Sequence, residues 1–264
     1  MHAHAVRAFV IHCVEMRMAD VQFSVVIPVK DEAANIRQLL AEIHTALSAF
    51  PTYEVIVVDD GSGDNTLAVL RAIKREQTDA PNLLPLVILK NPHNLGQSTS
   101  ILMGARQARY PWIVTLDGDG QNDPADIPKL LQCAAANPQV ALVAGQRTKR
   151  RDSWNKRIAS RIANNIRAAL LRDGTPDTGC GLKLLRRDVF LSLPYFNHMH
   201  RYLPALVRRH GGSVQLVGVN HRHRTEGRSK YGTLDRLWVG IWDLLGVMWL
   251  MRRNRLPHSA PTIE

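Results

Sequence analysis

Apolar and polar positions along the chain repeat with two alternating periods. Phe23 to Val29 (FSVVIPV) is a short, nearly continuous β-branched run that ends around a proline, and from about Glu32 to Ala49 apolar residues recur at helical spacing. Tyr53 to Val58 (YEVIVV) predicts a second buried strand, ending in Asp59-Asp60-Gly61-Ser62-Gly63, after which Asp64-Asn65 can cap a helix running to about Gln77. Leu86 to Leu89 predicts a third strand, about Gly96 to Ala108 a helix, and Trp112 to Leu116 a fourth strand. Strands alternating with helices imply parallel crossovers and a Rossmann-like, mostly parallel α/β sheet covered on both faces. In such sheets ligands bind beyond the carboxyl ends of the strands. The acidic residues cluster there, Asp59 and Asp60 after the second strand and Asp117 and Asp119 after the fourth.

The second half has a different texture. Ala141 to Ala144 predicts a further strand, Asn155 to Leu171 a basic helix, Asp177-Thr178-Gly179-Cys180-Gly181 a Gly-rich turn, Val214 to Val219 another strand, and His221 to Gly232 a polar, basic loop. Leu237 to Leu250 (LWVGIWDLLGVMWL) is strongly apolar, holds three tryptophans and is flanked by Arg236, Arg252, Arg253 and Arg255. Spanning a bilayer takes about 20 apolar residues, and Asp243 interrupts this shorter run. Tryptophans with flanking arginines suit an amphipathic helix lying at the headgroup level of an anionic membrane; the alternative is a helix packed on the domain core or in a dimer.

A length of 264 residues suits one large α/β domain with terminal extras. We divide it into a poorly ordered arm (1–20), a catalytic domain (21–232) and an apolar, membrane-associating segment (233–264). The apolar patch Ala8 to Val14, broken by His12, is weak as a secretory signal. Hydrophobic residues at 45% against 22% charged place the chain among ordered globular proteins. The net charge of +11 asks for an anionic partner, either nucleic acid, lipid headgroups or a phosphate-rich substrate. Cys13, Cys133 and Cys180 have no paired spacing, which points away from zinc and disulfides and toward a reducing, cytoplasmic setting.

The sharpest motif is Thr115 to Pro124 (TLDGDGQNDP), in which two carboxylates flank one glycine directly after a buried strand. Oxygen ligands of this kind suit Mg²⁺ or Mn²⁺, which can bridge a nucleoside diphosphate; solvated turn acids are the plainer alternative. Val58-Asp59-Asp60-Gly61-Ser62 offers carboxylates to a base edge or ribose hydroxyls, and Ile27 to Glu32 places Glu32 on the same edge.

Taken in order, Val26-Ile27-Pro28 with Asn35, Val57 to Ser62, Asn94-Leu95-Gly96 and Leu116 to Gln121 resemble the family-two glycosyltransferases of the GT-A fold, above all the dolichol-phosphate mannose synthases and their bacterial polyprenyl-phosphate relatives. The resemblance covers about Phe23 to Gly232. It implies nucleotide-sugar contacts from Pro28, Lys30, Glu32, Val58, Asp60, Asp117, Gly118 and Asp119, with Lys30 standing where such synthases often carry a tyrosine. It implies metal ligation by Asp119, Gln121 and Asp117, and a place for Arg147 near the sugar and the acceptor phosphate. Arg224 and Lys230 match the basic pair of a loop that closes over the donor diphosphate, and Lys156, Arg157 and Ser160 match the acceptor-phosphate site. Asp177 matches the family's acceptor-side turn, where it could orient sugar or acceptor. Catalysis would then fall to Asp117, Asp119, Arg147, Arg224 and Lys230, because metal and cationic side chains stabilise a leaving diphosphate.

A lipid phosphate is already an anionic nucleophile near neutral pH and asks for positive charge, whereas a saccharide hydroxyl asks for a general base. The basic helix and the apolar C-terminus favour the lipid phosphate. The expected function is therefore an inverting transferase that moves a sugar from GDP-mannose or a UDP-sugar to a polyprenyl phosphate, peripherally bound at the inner face of the cytoplasmic membrane, with a saccharide acceptor as the alternative. Nucleic acid is disfavoured: aromatics are only 6%, and acidic strand ends repel a phosphate backbone. A dinucleotide-binding oxidoreductase lacks its Gly-x-Gly-x-x-Gly turn after the first strand.

Overall fold

The computed structural model describes residues 21–76, 84–148, 167–222 and 233–253, with backbone alone for 233–238. In chain order the elements are β1 (Phe23–Val29), α1 (Ala33–Leu47), β2 (Tyr53–Asp59), α2 (Thr66–Glu76), β3 (Leu86–Lys90), α3 (Gln97–Gln107), β4 (Trp112–Thr115), a 3₁₀ turn (Pro124–Asp126), α4 (Ile127–Ala136), β5 (Val140–Arg147), β6 (Lys183–Arg186), α5 (Arg187–Ser192), a second 3₁₀ turn (Met199–Arg201), α6 (Leu203–Arg209), β7 (Ser213–Val219) and α7 (Thr233–Arg252). The four strands and three helices read from the first 120 residues all form, with ends shifted by a residue or two.

The strands make one seven-stranded sheet in the order β3-β2-β1-β4-β6-β5-β7. β1 runs parallel to β2 and β4, β2 parallel to β3, and β5 parallel to β7, while β6 runs antiparallel to both β4 and β5. Alternate side chains feed opposite faces, as the two-residue period of a strand requires. Phe23, Val25, Ile27 and Val29 join the cluster packed by Ile36, Leu39 and Ile43 of α1, Leu70 of α2 and Leu130 of α4. Val26 joins Ile101 of α3, Phe190 of α5 and Leu203 and Leu206 of α6 on the other face. This double burial explains why the strands read as unbroken apolar runs.

β6 was not expected from sequence. It has only four residues (KLLR), too few to show a period, and it opens on a lysine that is nevertheless 3% exposed. It changes the architecture, because it makes the sheet mixed and lays the start of β6 beside the end of β4, with Lys183 opposite Thr115 on one side and Ala144 of β5 on the other. The fifth predicted strand is also longer than its apolar core, reaching Arg147.

Of the predicted basic helix over 155–171, only 167–171 falls in the described residues, and it is helical. The apolar C-terminal run forms α7, which packs Val247, with Leu244, Met248 and Leu250 partly buried, against the α6 side of the core. Its outer side leaves Trp242, Leu245 and Trp249 exposed. Among the described residues no helix is long and apolar enough to cross a membrane.

Candidate active site

The carboxyl ends of β1, β2, β4 and β5 and the start of β6 share one edge of the sheet, and the acidic motifs meet there. Pro28 of β1 lies opposite Val58 of β2 in register, and the Asp60 N–H donates to the carbonyl of Val29 at 2.9 Å, tying the two strand ends together. Asp60 is buried and accepts from Asn91 Nδ2 (2.8 Å), Leu95 N (2.9 Å) and, through its other oxygen, Gly96 N (2.9 Å). The Asn94-Leu95-Gly96 turn is thus built on this carboxylate, with Gly96 at φ 90°, a conformation that side chains resist. Asp59 beside it accepts from Ser62 N at 3.1 Å, and its buried Oδ2 has no hydrogen-bond partner among the described residues.

The loop after β1 fits against the one after β2. Lys30 Nζ donates to the Gly61 carbonyl at 3.2 Å, the Asp31 N–H donates to Ser62 Oγ at 2.9 Å, and Gly63 N–H donates to Asp31 Oδ1 at 2.6 Å. The Glu32 N–H donates to Thr66 Oγ1 at 2.9 Å, and its carboxylate accepts from Asn35 Nδ2 at 2.7 Å. The predicted nucleoside residues therefore form one interlocked wall.

After β4 the chain must turn tightly over β1. A Cβ on Gly118 would lie 2.6 Å from Val29 Cγ1 and 3.1 Å from the Pro28 carbonyl, so the turn requires glycine. Asp117 Oδ1 accepts from Gln97 Nε2, the first residue of α3, at 2.8 Å, and the Asp117 N–H donates to the buried Asn122 Oδ1 at 3.1 Å. Asp119 Oδ1 accepts from Gln121 N at 3.1 Å, closing the turn on itself. On the far side Thr115 Oγ1 donates to the Gly181 carbonyl at 2.7 Å, and Gly181 lies so close to the Asp117 carboxylate that a Cβ there would stand 2.1 Å from Oδ2.

The β6 return brings charge as well as shape. Lys183 donates from its buried ammonium to the Cys180 carbonyl, and burial lowers its pKa against the pull of Asp117 and Asp177. Arg147, on the last residue of β5, forms a two-pronged pair with Asp177, Nε to Oδ2 and Nη2 to Oδ1, each at 2.7 Å. Such paired bonds fix the guanidinium plane. Burial, reinforced by Asp119, pushes the Asp117 carboxyl up to about 6, opposed by Lys183, the Gln97 bond and Arg147.

Two crowded carboxylates, one of them held against its charge, are what a divalent cation would relieve, so the turn fits the ion it is expected to hold. Among the described residues there is no group of three or more His, Cys, Asp or Glu placed to hold a metal. Mg²⁺ is commonly held by one or two carboxylates, with substrate phosphates and water completing its shell.

Pro28, Lys30, Glu32, Val58, Asp60, Asp117, Gly118, Asp119, Gln121, Arg147 and Asp177 thus gather on one edge. Lys156, Arg157, Ser160, Arg224 and Lys230 lie outside the described residues. Sequence reasoning missed Gln97, Asn122, Gly181 and Lys183. Gln97 directly follows the quoted Asn94-Leu95-Gly96, Asn122 lies inside Thr115 to Pro124, and Gly181 closes the Gly-rich turn; only Lys183, in an unrecognised strand, carried no signal.

His200 closes the α3 side, its Nδ1 hydrogen-bonded with Ser98 Oγ at 2.8 Å. Burial, with Arg201, Lys183 and His198 adding, holds its pKa well below the usual 6.5. The fold therefore keeps His200 neutral, and below about pH 6.5 only the unfolded chain takes up the proton, so this contribution is complete above that pH and declines below it, by up to about 1.4 kcal/mol per pH unit. His200→Gln is expected to flatten the loss of stability between about pH 6.5 and 5. Urea titrations at both pH values would check this, and equal acid losses in the two proteins would refute it.

Three comparisons bear on this site. The sequence model described as Glycosyl transferase family 2 matches residues 24–193. The dodecaprenyl-phosphate galacturonate synthase of Rhizobium johnstonii is 34% identical over 241 residues, spanning 89% of this chain and 69% of that protein. The undecaprenyl-phosphate 4-deoxy-4-formamido-L-arabinose transferase of Edwardsiella ictaluri is 32% identical over 227 residues, spanning 85% and 67%. Among solved structures, glucosyl-3-phosphoglycerate synthase from Mycobacterium tuberculosis, in complex with Mn²⁺, UDP and glucosyl-3-phosphoglycerate, superposes with a TM-score of 0.65 at 20% identity, covering 90% of this chain and 82% of that one. Mannosyl-3-phosphoglycerate synthase from Rubrobacter xylanophilus gives 0.66 at 16% identity, covering 95% and 80%. These structures share the fold, and with the family match and the strand-end acids they lead to one conclusion: the chain belongs to glycosyl transferase family 2 and is a glycosyltransferase of the GT-A fold.

Proposed function

We propose that this enzyme transfers a sugar from a nucleoside-diphosphate sugar to a polyprenyl phosphate, at a membrane surface and with Mg²⁺ or Mn²⁺. The observation that carries the reading is the junction of two carboxylates, Asp117 and Asp119, with the Arg147–Asp177 pair on one sheet edge. It supplies a place for a cation and diphosphate on one side and a fixed guanidinium for an anionic acceptor on the other. Both relatives are named for prenyl-phosphate products or substrates, and a solved structure of the same fold holds Mn²⁺ and UDP.

In this reading a phosphate oxygen of the acceptor attacks the anomeric carbon, the bond from that carbon to the nucleoside diphosphate breaks with inversion, and the diphosphate departs with the electron pair. A bound divalent cation would supply counter-charge to the leaving diphosphate, held by Asp119, Gln121 and Asp117. Asp177 orients Arg147 toward the acceptor phosphate, and Asp60 and Glu32 shape the nucleoside wall. Arg224 and Lys230 over the diphosphate, and Lys156, Arg157 and Ser160 at the acceptor phosphate, rest on the family resemblance. The exposed Trp242 and Trp249 of α7 support a peripheral place on a membrane, which we assign to its inner face.

The test is to incubate the protein with Mn²⁺, a polyprenyl phosphate and radiolabelled GDP-mannose, UDP-glucose, UDP-N-acetylglucosamine or nucleotide-activated galacturonate, and then to extract with organic solvent. Label in the lipid phase is the expected result. Label only in water-soluble saccharide, for every donor, would overturn the acceptor assignment.

A further inference from the structure

α7 carries Asp243 within an otherwise apolar run, and the side chain meets His198, whose Nδ1 lies 3.0 Å from Asp243 Oδ2. His198 is held at φ 67° and ψ 7°, the left-handed conformation that costs a non-glycine residue free energy. Such an outlier persists only where surrounding contacts enforce it. The contacts run in both directions from this loop. Tyr195 Oη is 2.6 Å from Thr99 Oγ1 and His200 Nδ1 is 2.8 Å from Ser98 Oγ, so residues 195–201 are fastened to the first turn of α3. That turn begins with Gln97, which holds Asp117. On the other side His198 is fastened to α7. Two further bonds between α7 and the rest of the domain, from Tyr202 Oη to the Gly240 carbonyl at 3.2 Å and from Arg209 Nε to the Leu250 carbonyl at 3.0 Å, engage backbone carbonyls and would tolerate a change of side chain.

The outer face of α7 suits one occupant. Trp242 is 68% and Trp249 60% exposed, with Leu245 between them at helical spacing, and Arg253 stacks over the Trp249 ring at 6.0 Å beside Arg252. Amphipathic aromatic rings bounded by arginines match the headgroup layer of an anionic bilayer, and the chain as a whole carries +11.

We propose that His198 and Asp243 are a positioning pair. They set the lipid-facing helix α7 at a fixed place relative to the α3 turn and Asp117, so that a phosphate presented from the bilayer arrives in line with the donor. This rests on the lipid-acceptor reading above. His198 and Asp243 touch neither substrate, and their effect is confined to acceptors that are themselves anchored in a bilayer.

The experiment compares the wild-type chain with Asp243→Ala, His198→Ala and the double variant on two acceptors: a long-chain polyprenyl phosphate in phosphatidylglycerol-containing vesicles, and a water-soluble two-isoprene phosphate. Each single variant should lose about tenfold or more on the vesicle-borne acceptor and stay within about twofold on the soluble one, with the double variant no worse than either single, as expected of two residues that act as a unit. Vesicle co-sedimentation should be retained in Asp243→Ala and lost in the Trp242→Ser, Trp249→Ser double variant. Equal losses on both acceptors, single losses that multiply in the double variant, or no loss at all would overturn the proposal. So would a chain that ignores vesicles and instead dimerises through the two tryptophans. A wild-type protein that labels neither prenyl phosphate sinks the acceptor reading and this inference together, whereas a wild-type protein active on both with uniformly weakened variants sinks only this one.

Discussion

Gly181→Ala is expected to cut kcat by about 100-fold or more, through a residue that contributes no functional group. The new Cβ would stand 2.1 Å from Asp117 Oδ2, 2.3 Å from Cγ and 2.5 Å from Oδ1, distances that no real Cβ contact tolerates. The backbone cannot yield readily, because the Gly181 carbonyl accepts from Thr115, the next carbonyl, of Leu182, accepts from Gly145 N, and β6, which begins two residues on, is paired on both edges. The carboxylate must then swing off Gln97 by about 1 Å, and displacements of that size in a reacting group cost on the order of 10²-fold. Steady-state transfer at saturating donor and Mn²⁺, with a thermal melt on the same samples, separates this from unfolding. A folded variant retaining a third of wild-type kcat would mean that Asp117 need not be where the structure places it.

Asp119→Ala should remove metal-dependent turnover altogether, a loss of about 10³-fold or more if the cation contributes the several kcal/mol that such ions supply to a leaving group. The side chain is partly exposed, and the hydrogen bond described for it is the one from Gln121 N within its own turn, so stability should change by no more than roughly 0.5 kcal/mol. The measurement is a Mn²⁺ titration of transfer after chelation, run beside a denaturant melt. A variant that is still activated by Mn²⁺ with wild-type midpoint would remove Asp119 from the ligand set.

The two halves of the site were unequally legible. In the half we propose for the donor, strand, turn and helix follow each other closely in sequence, so apolar runs locate β1, β2 and β4 and the acids after them are seen directly as strand-end residues. The half we propose for the acceptor is assembled across sequence distance. Lys183 looks polar and solvated in the sequence, and only the antiparallel return of β6 shows it buried beside Asp117. The Arg147–Asp177 pair joins residues 30 positions apart, and each alone has an ordinary alternative, a strand end or a Gly turn. For Asp60 the motif pointed to the nucleoside, and the structure adds a second role that the motif does not show, since its oxygens also accept from Asn91, Leu95 and Gly96. A motif preserves the residue type, and the same carboxylate chemistry serves a ligand or a neighbouring loop.

That internal engagement of Asp60 has a thermodynamic consequence. Because the carboxylate already gathers three donors from its own chain, the floor proposed for the nucleotide is set beforehand, and the entropy of arranging it is lost during folding. Under the proposed function, donor capture at this wall should therefore proceed with little ordering of the backbone.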